Sequence, residues 1–133
     1  MIDFGTAVTF DVLSHLNNGT YLGGVIAPGL GALCNDLHNR TALLPRIDLI
    51  EPPSAIGKST EHAMQVGAVI GYRGLIREIL LELAKELPSP PAIYATGGDA
   101  ALIAAKMPEI QTVDRNLTLQ GILKIAQLNS DSL

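Results

Sequence analysis

The sequence predicts an α/β protein built on a mixed sheet. Three observations carry this. Residues 1–26 hold three short β-rich segments parted by tight-turn residues. Residues 30–87 carry apolar residues at helical spacing, and residues 92–127 alternate short apolar runs with helical patterns. A meander followed by alternating helices and strands is the signature of a layered α/β sheet.

Each element has its own reason. Met1–Phe4 is apolar except for Asp3, and Gly5 ends it. Ala7–Leu13 is rich in β-branched and aromatic residues. Asn17-Asn18-Gly19 is a strong hairpin turn, because Asn and Gly accept positive φ. Thr20–Ile26 returns as a third strand, giving a three-strand antiparallel meander. Pro28-Gly29 breaks the pattern, and Leu30, Leu33, Leu37 and Leu43 mark a helix that Pro45 ends. Residues 46–58 hold Pro52-Pro53 and Gly57 and read as a surface loop, with a short strand at Ile47–Ile50.

Ser59 or Thr60 is a good N-cap, and Glu61 suits the positive end of the helix dipole. A long helix follows to about Leu87, with Ile76, Ile79, Leu80, Leu83 and Leu87 on its apolar face. Ala63, Gly67 and Gly71 leave a bare stripe for close backbone packing, and Gly71 and Gly74 are expected to kink or split the helix. Pro88–Pro91 is a connector. Ala92–Ala95 reads as a buried strand, Thr96-Gly97-Gly98 as a turn, and Asp99–Lys106 as a helix. Ile110–Val113 is a further strand, and Asn116 or Thr118 caps a last helix through Gln127. No repeat or linker divides residues 1–133, which read as a single domain.

Composition narrows the function. The chain has 133 residues, 47% of them hydrophobic and 17% charged, which excludes a disordered, solvating chain. A net charge of −4 with no basic run argues against gripping a nucleic-acid backbone. With no Trp and two Phe, stacking platforms for single strands are scarce. Apolar stretches are interrupted well before the ~20 residues of a membrane span. The N-terminus lacks the basic and apolar regions of a secretion signal. One cysteine, Cys34, forms no internal disulfide and reads as a small buried hydrophobe. A cytoplasmic location is the expectation.

Two segments carry the chemistry. In Asp3-Phe4-Gly5-Thr6-Ala7-Val8-Thr9, an acid at a strand end precedes a glycine and a hydroxyl. Backbone N–H groups and the Thr6 hydroxyl can face a phosphate, Gly5 leaves it room, and Asp3 can hold a cation. The bland alternative is a plain turn. Ala95-Thr96-Gly97-Gly98 lies after a strand and before a helix, where ligands of open α/β sheets bind. Gly57-Lys58-Ser59-Thr60 imitates the end of a phosphate-binding P-loop, but position 52 is Pro where that motif needs Gly. Thr60 at a helix N-terminus remains a candidate ligand contact, or simply a cap. Gly23-Gly24 and Gly29 suit a backbone packed against a ligand, a neighbouring subunit or a bend. His15, His38 and His62 have no partner at metal-ligand spacing and read as surface or capping residues.

Taken in order, the segments resemble one family. Residues 3–11, then Tyr21-Leu22-Gly23-Gly24-Val25-Ile26-Ala27-Pro28-Gly29, are similar to the opening of the second domain of type III pantothenate kinases. Arg40-Thr41-Ala42-Leu43-Leu44-Pro45, Ile56-Gly57-Lys58-Ser59-Thr60 and Ala95-Thr96-Gly97-Gly98 follow in that family's order. The resemblance covers nearly the whole chain. It implies an actin-like (ribonuclease H-like) domain equivalent to the C-terminal half of such a kinase.

The activity implied is ATP-dependent phosphorylation of pantothenate, the first step of coenzyme A biosynthesis, in a homodimer. ATP with Mg2+ and a monovalent cation, K+ or NH4+, would be the cofactors. On that resemblance Asp3 ligates the monovalent cation, and Gly5 and Thr6 contact ATP phosphate. Gly97 and Gly98 lie in the adenosine motif, and Thr60 contacts pantothenate from the dimer partner. The family's first half carries an Asp-x-Gly-Asn-Thr phosphate loop and a Gly-x-Asp-Arg motif with the general base. Neither motif occurs here. No catalytic residue is therefore expected in this chain, which reads as a truncated or split form and alone should be inactive; in the split form a separate polypeptide supplies the N-terminal half. The alternative is a non-catalytic nucleotide-binding or dimerisation module derived from that fold.

Overall fold

The computed structural model describes residues 1–15 and 19–130. Nine elements follow the expected order: β1 (Ile2–Phe4), β2 (Ala7–Ser14), β3 (Thr20–Pro28), α1 (Leu30–Arg40), α2 (Thr60–Lys85), β4 (Tyr94–Gly97), α3 (Ala100–Ala104), β5 (Thr112–Val113) and α4 (Leu117–Ser130). They build one mixed sheet of order β3-β2-β1-β4-β5. β1, β2 and β3 form the antiparallel meander, while β4 pairs parallel with β1 and with β5. Asn17 and Asn18 of the expected hairpin turn lie outside the described residues. Gly19 beside them has φ +90°, a conformation that Gly adopts readily.

Strand alternation decides where the core lies. Ile2, Phe4, Val8, Phe10 and Ala95 point to one face and are buried. Leu30 and Cys34 of α1, Val69, Tyr72 and Ile76 of α2, and Ala100 and Ile103 of α3 pack on that face. Phe4 and Tyr72 meet with ring centroids 6.5 Å apart in a tilted arrangement. Cys34 is buried, as its sequence setting suggested.

Several boundaries differ from the sequence reading. α2 is unbroken through Gly71 and Gly74, because the packing of its buried face on the core outweighs two flexible positions. Ser59 caps it, its hydroxyl accepting from the His62 N–H at 3.2 Å. α1 stops at Arg40, since the Thr41 hydroxyl donates to the Leu37 carbonyl and accepts from the Leu44 N–H, turning the chain out of the helix. Leu43 is left 90% exposed rather than on the helix face. Ile47–Ile50 forms no strand. Its chain is held instead by side chains of α2, and Gln65 Nε2 donates to the Asp48 carbonyl at 3.2 Å. β4 has the expected four residues but is shifted two places on, taking in Thr96 and Gly97 of the expected turn, while α3 and β5 are shorter than expected. Among the described residues no helix is long and apolar enough to cross a membrane.

Candidate functional site

The candidate residues of the first segment and of the glycine pair meet at one end of the sheet. Asp3 is paired with Thr9 of β2 on one side and Thr96 of β4 on the other. Paired residues share a face, so two hydroxyls flank one carboxylate on the face away from the core. Thr96 is buried and Asp3 and Thr9 are half-buried. Gly5 and Thr6 form the turn that follows, closed by the Gly5 N–H donating to the Ala7 carbonyl at 3.1 Å. Gly97 is paired with Phe4 across the parallel ladder, so the Thr96-Gly97-Gly98 segment begins beside the Gly5–Thr6 turn.

The two glycines of the second segment have different causes. Gly97 has φ +99°, and a Cβ there would lie 2.5–2.6 Å from the Phe4 backbone, so the fold itself requires glycine. Gly98 would place a Cβ in open space, within 4 Å of nothing in the chain. No internal packing explains Gly98. Gly29 answers to the chain as well, because its Cβ would meet the Gly5 and Thr6 carbonyls at 2.4 and 2.3 Å. Its N–H donates to the Thr6 carbonyl at 3.1 Å. Gly24 likewise gives way to the Phe10 carbonyl of the neighbouring strand. Gly24 and Gly29 therefore serve backbone-to-backbone packing, while Gly23 answers to its φ of +117°. The Gly23–Gly29 segment also sets the N-terminus of α1, eleven residues with no acid in the first turn, against the Gly5–Thr6 turn.

The sequence reading treated Asp99 only as a helix start. It occupies the N-cap position of α3, yet its side chain makes no capping hydrogen bond. Burial pushes its carboxyl pKa upward. Asp99 acts electrostatically on two core neighbours. The Tyr72 hydroxyl is pushed up to about 12, by burial first and then by Asp99. The Cys34 thiol is raised by the same two causes in the same order. An acid directly after a Gly-Gly turn was the available signal. Its reading as a plain helix start hid it.

Thr60 is not brought to this cluster. It opens α2 on the exposed surface. It lies 12 residues before Tyr72, or about 18 Å along the helix axis at 1.5 Å per residue. The loop leading to it is tied down from α2. Arg73, whose side chain is 4% exposed, donates from Nη1 and Nη2 to both carboxylate oxygens of Glu51, at 3.1 and 2.5 Å. Its remaining donors reach the Ile103 and Leu102 carbonyls at 3.1 and 2.7 Å. Hydrogen bonding from Arg73, with a further contribution from Lys106, draws the Glu51 carboxyl down to about 2. The His62 ring contacts the Ser54 carbonyl and the Lys58 N–H, at 3.1 and 3.3 Å. A Cβ on Gly57 would strike Ala63 of α2. Gly57-Lys58-Ser59-Thr60 is therefore a fixed loop and cap, without a P-loop's cradle.

A cavity of about 440 Å³ lies at the opposite end of the sheet. Phe10, Leu80, Leu83 and Ile93 are among the residues lining it, and it contains none of the candidate residues. Among the described residues no group of three or more His, Cys, Asp or Glu could hold a metal ion. The donor set around Asp3 is one carboxylate with hydroxyl and backbone oxygens. One carboxylate carries too little charge for an all-protein divalent cage.

The family model of type III pantothenate kinases matches residues 1–82. This chain belongs to the type III pantothenate kinase family. A type III pantothenate kinase of Akkermansia muciniphila is 56% identical over 129 residues, covering 97% of this chain and 52% of that protein. One from Anaeromyxobacter sp. (strain K) is 44% identical over 129 residues, with 97% and 50% covered. The chain thus spans about half the length of the curated relatives it matches. A solved structure described as a conserved Baf family transcriptional activator from Campylobacter jejuni superposes with a TM-score of 0.68 at 24% identity. It covers 98% of this chain and 57% of that one, and it supports the α/β fold alone.

Proposed function

We propose that this chain is the C-terminal, actin-like half of a pantothenate kinase. The whole enzyme phosphorylates pantothenate with ATP at the start of coenzyme A synthesis, in the cytoplasm and as a homodimer. The observation that carries the reading is the convergence of Asp3, Gly5, Thr6, Gly97 and Gly98 at one sheet end, in a chain of this family. Gly5 and Thr6, backed by the N-terminus of α1, would receive ATP phosphates. Gly98, which no contact inside the chain explains, would lie against the adenosine, with Gly97 holding the backbone in place.

Asp3, with Thr9 and Thr96 beside it, would hold a potassium or ammonium ion, which supplies positive charge near the phosphates. Mg2+ would arrive with ATP. Thr60 stands too far along α2 to serve the same site, which suits a contact to pantothenate bound by the other copy of a dimer.

The site supplies half of what phosphoryl transfer needs. Its acids are Asp3, assigned to the cation, and Asp99, which acts electrostatically on Tyr72 and Cys34. The general base is therefore assigned to the other half of a full-length enzyme. The test is turnover. The 133-residue chain, given ATP, magnesium, potassium and pantothenate, should make no measurable phosphopantothenate. Adding the other half of the Akkermansia relative should restore it. Robust turnover by this chain alone would overturn the assignment.

A non-catalytic module is the second reading, favoured by the exposed Ala63, Gly67 and Gly71 stripe on α2. Calorimetry with ATP beside sedimentation of the free chain separates the two. Dimerisation without nucleotide binding would favour the module.

A further inference from the structure

Among the described residues α4 is the one helix with no buried residue. Leu119, Ile122, Leu123, Ile125 and Leu128 are each 59–64% exposed. At helical spacing Leu119, Ile122, Leu123 and Ala126 form one stripe, Gln120, Lys124 and Gln127 share a polar flank to one side of it, and Leu128 lies opposite the stripe. Ile125 and Leu128 widen the apolar arc beyond a single seam. Local bonds hold the helix start: Asp114 accepts from the Asn116 N–H at 2.8 Å and from Gln120 Nε2 at 2.9 Å. A 14-residue helix is marginal in water without tertiary packing. An apolar surface of this kind, on the order of several hundred Å², marks an interaction site.

Topology says where that partner would sit. Val113 of β5 pairs with Ala95 of β4, and the Asp114 N–H donates to the Ala95 carbonyl at 2.8 Å. α4 therefore leaves the sheet beside the end where β4 runs into Gly97 and Gly98. A body on α4 would stand next to the candidate phosphate and adenosine residues.

We propose that α4 is the docking helix for the other half of a full-length kinase, which it holds over that end of the sheet. This rests on the reading of the chain as half an enzyme. The relatives supply the occupant's size: this chain covers 52% and 50% of two of them, leaving a body about as large as itself. A second copy fits less well. Two such helices packed together would bury less than the about 1,000 Å² expected of a stable interface. They would also leave Ile125 and Leu128 in water. An apolar arc that wide fits a groove. With Lys124 its one charged residue, α4 offers little for charge steering, so the contact should be insensitive to salt.

The experiment co-expresses the full 133-residue chain with the half of the Akkermansia relative that it does not match. Association is read by co-purification and sedimentation velocity. A 1:1 complex is expected, with residues 117–130 gaining protection from hydrogen exchange. Leu119→Gln with Leu123→Gln should weaken it at least tenfold, and Lys124→Gln on the polar side should not. Both leucines are exposed, so the urea midpoint of the free chain should stay unchanged. Three results overturn the proposal: no complex, a complex indifferent to the leucine pair, or self-association of the chain alone that the leucine pair abolishes. Phosphopantothenate formation is scored separately. A complex held by α4 without turnover sinks the kinase reading and leaves the docking surface. Turnover indifferent to the leucine pair does the reverse.

Discussion

Replacing Glu51 with Gln tests how the loop before α2 is held. Arg73 is buried on α2 and spends two of its donors on Glu51. A carboxyl drawn from 4.5 to about 2 corresponds to about 3 kcal/mol at full strength. The Glu51 side chain is 34% exposed, and solvent screening reduces this to about 1.5 kcal/mol. Glu51→Gln keeps the shape and one acceptor but removes the charge, leaving a buried guanidinium with only carbonyl partners. The cost at pH 7 should therefore be about 1.5–3 kcal/mol, the upper figure being the penalty for an unpaired buried cation. The sign with pH follows from the lowered value. The folded protein holds this carboxyl below its unfolded pKa, so the stabilisation is fully present above about 4.5 and is lost as pH falls through about 2. Urea unfolding of both proteins, from pH 7 down to pH 2.5, reads the gap between them. The gap should hold steady to about pH 4.5 and then close. A gap below about 0.5 kcal/mol, or one that persists unchanged into acid, would refute the reasoning.

Three other substitutions bear on the site and its frame. Gly97→Ala should cost about 3 kcal/mol or more, because φ +99° and the Phe4 backbone both reject a Cβ, as urea unfolding would report. Gly71→Ala should stabilise the chain by about 0.5–1 kcal/mol, since a Cβ there meets nothing and Ala favours helix, and a raised melting temperature is the readout. Asp3→Ala in a complete enzyme should abolish the response to potassium and leave the circular dichroism spectrum unchanged, and an intact potassium dependence would count against the cation assignment.

The order of elements was legible because punctuation and periodicity agree. Gly5, Gly29, Pro45 and Pro88–Pro91 fall between elements, Pro28 ends β3, and the helical stretches carry the right spacing. Boundaries failed where tertiary bonds decide them. Ile47–Ile50 has a strand's composition, yet its backbone is claimed by Gln65 and its neighbour Glu51 by Arg73. Neither claim is local in sequence. Gly71 and Gly74 looked like a break because a single sequence cannot show how firmly Val69, Tyr72, Arg73 and Ile76 anchor the other side of that helix. At the candidate site, Asp3, Gly5 and Gly97 were visible as motif residues, but their meeting depends on β4 pairing with β1 over ninety residues away. Thr9 and Thr96 were unremarkable until that register placed them beside Asp3. Asp99 was hidden because an acid at a helix start has a sufficient local explanation, which the structure removes by leaving its cap bond unmade.

The same geometry bears on why this half could bind without reacting. Thr6 and Gly98 lie exposed at one end of the sheet, and the backbone beneath them is fixed: Gly29 is bonded to the turn and Gly97 is packed against Phe4. A preformed floor lowers the ordering cost of receiving a nucleotide. Phosphoryl transfer also requires the opposite side, where charge is neutralised and the attacking hydroxyl is aligned and loses its proton. Among the described residues the one carboxylic acid with a raised pKa is Asp99, and it acts electrostatically on Tyr72 and Cys34, two groups whose own pKa values are raised. Neither relays a proton readily near pH 7. Catalytic competence would then depend on what is held over that end of the sheet, and α4, which leaves the sheet beside it with its apolar side uncovered, is the element placed to hold it.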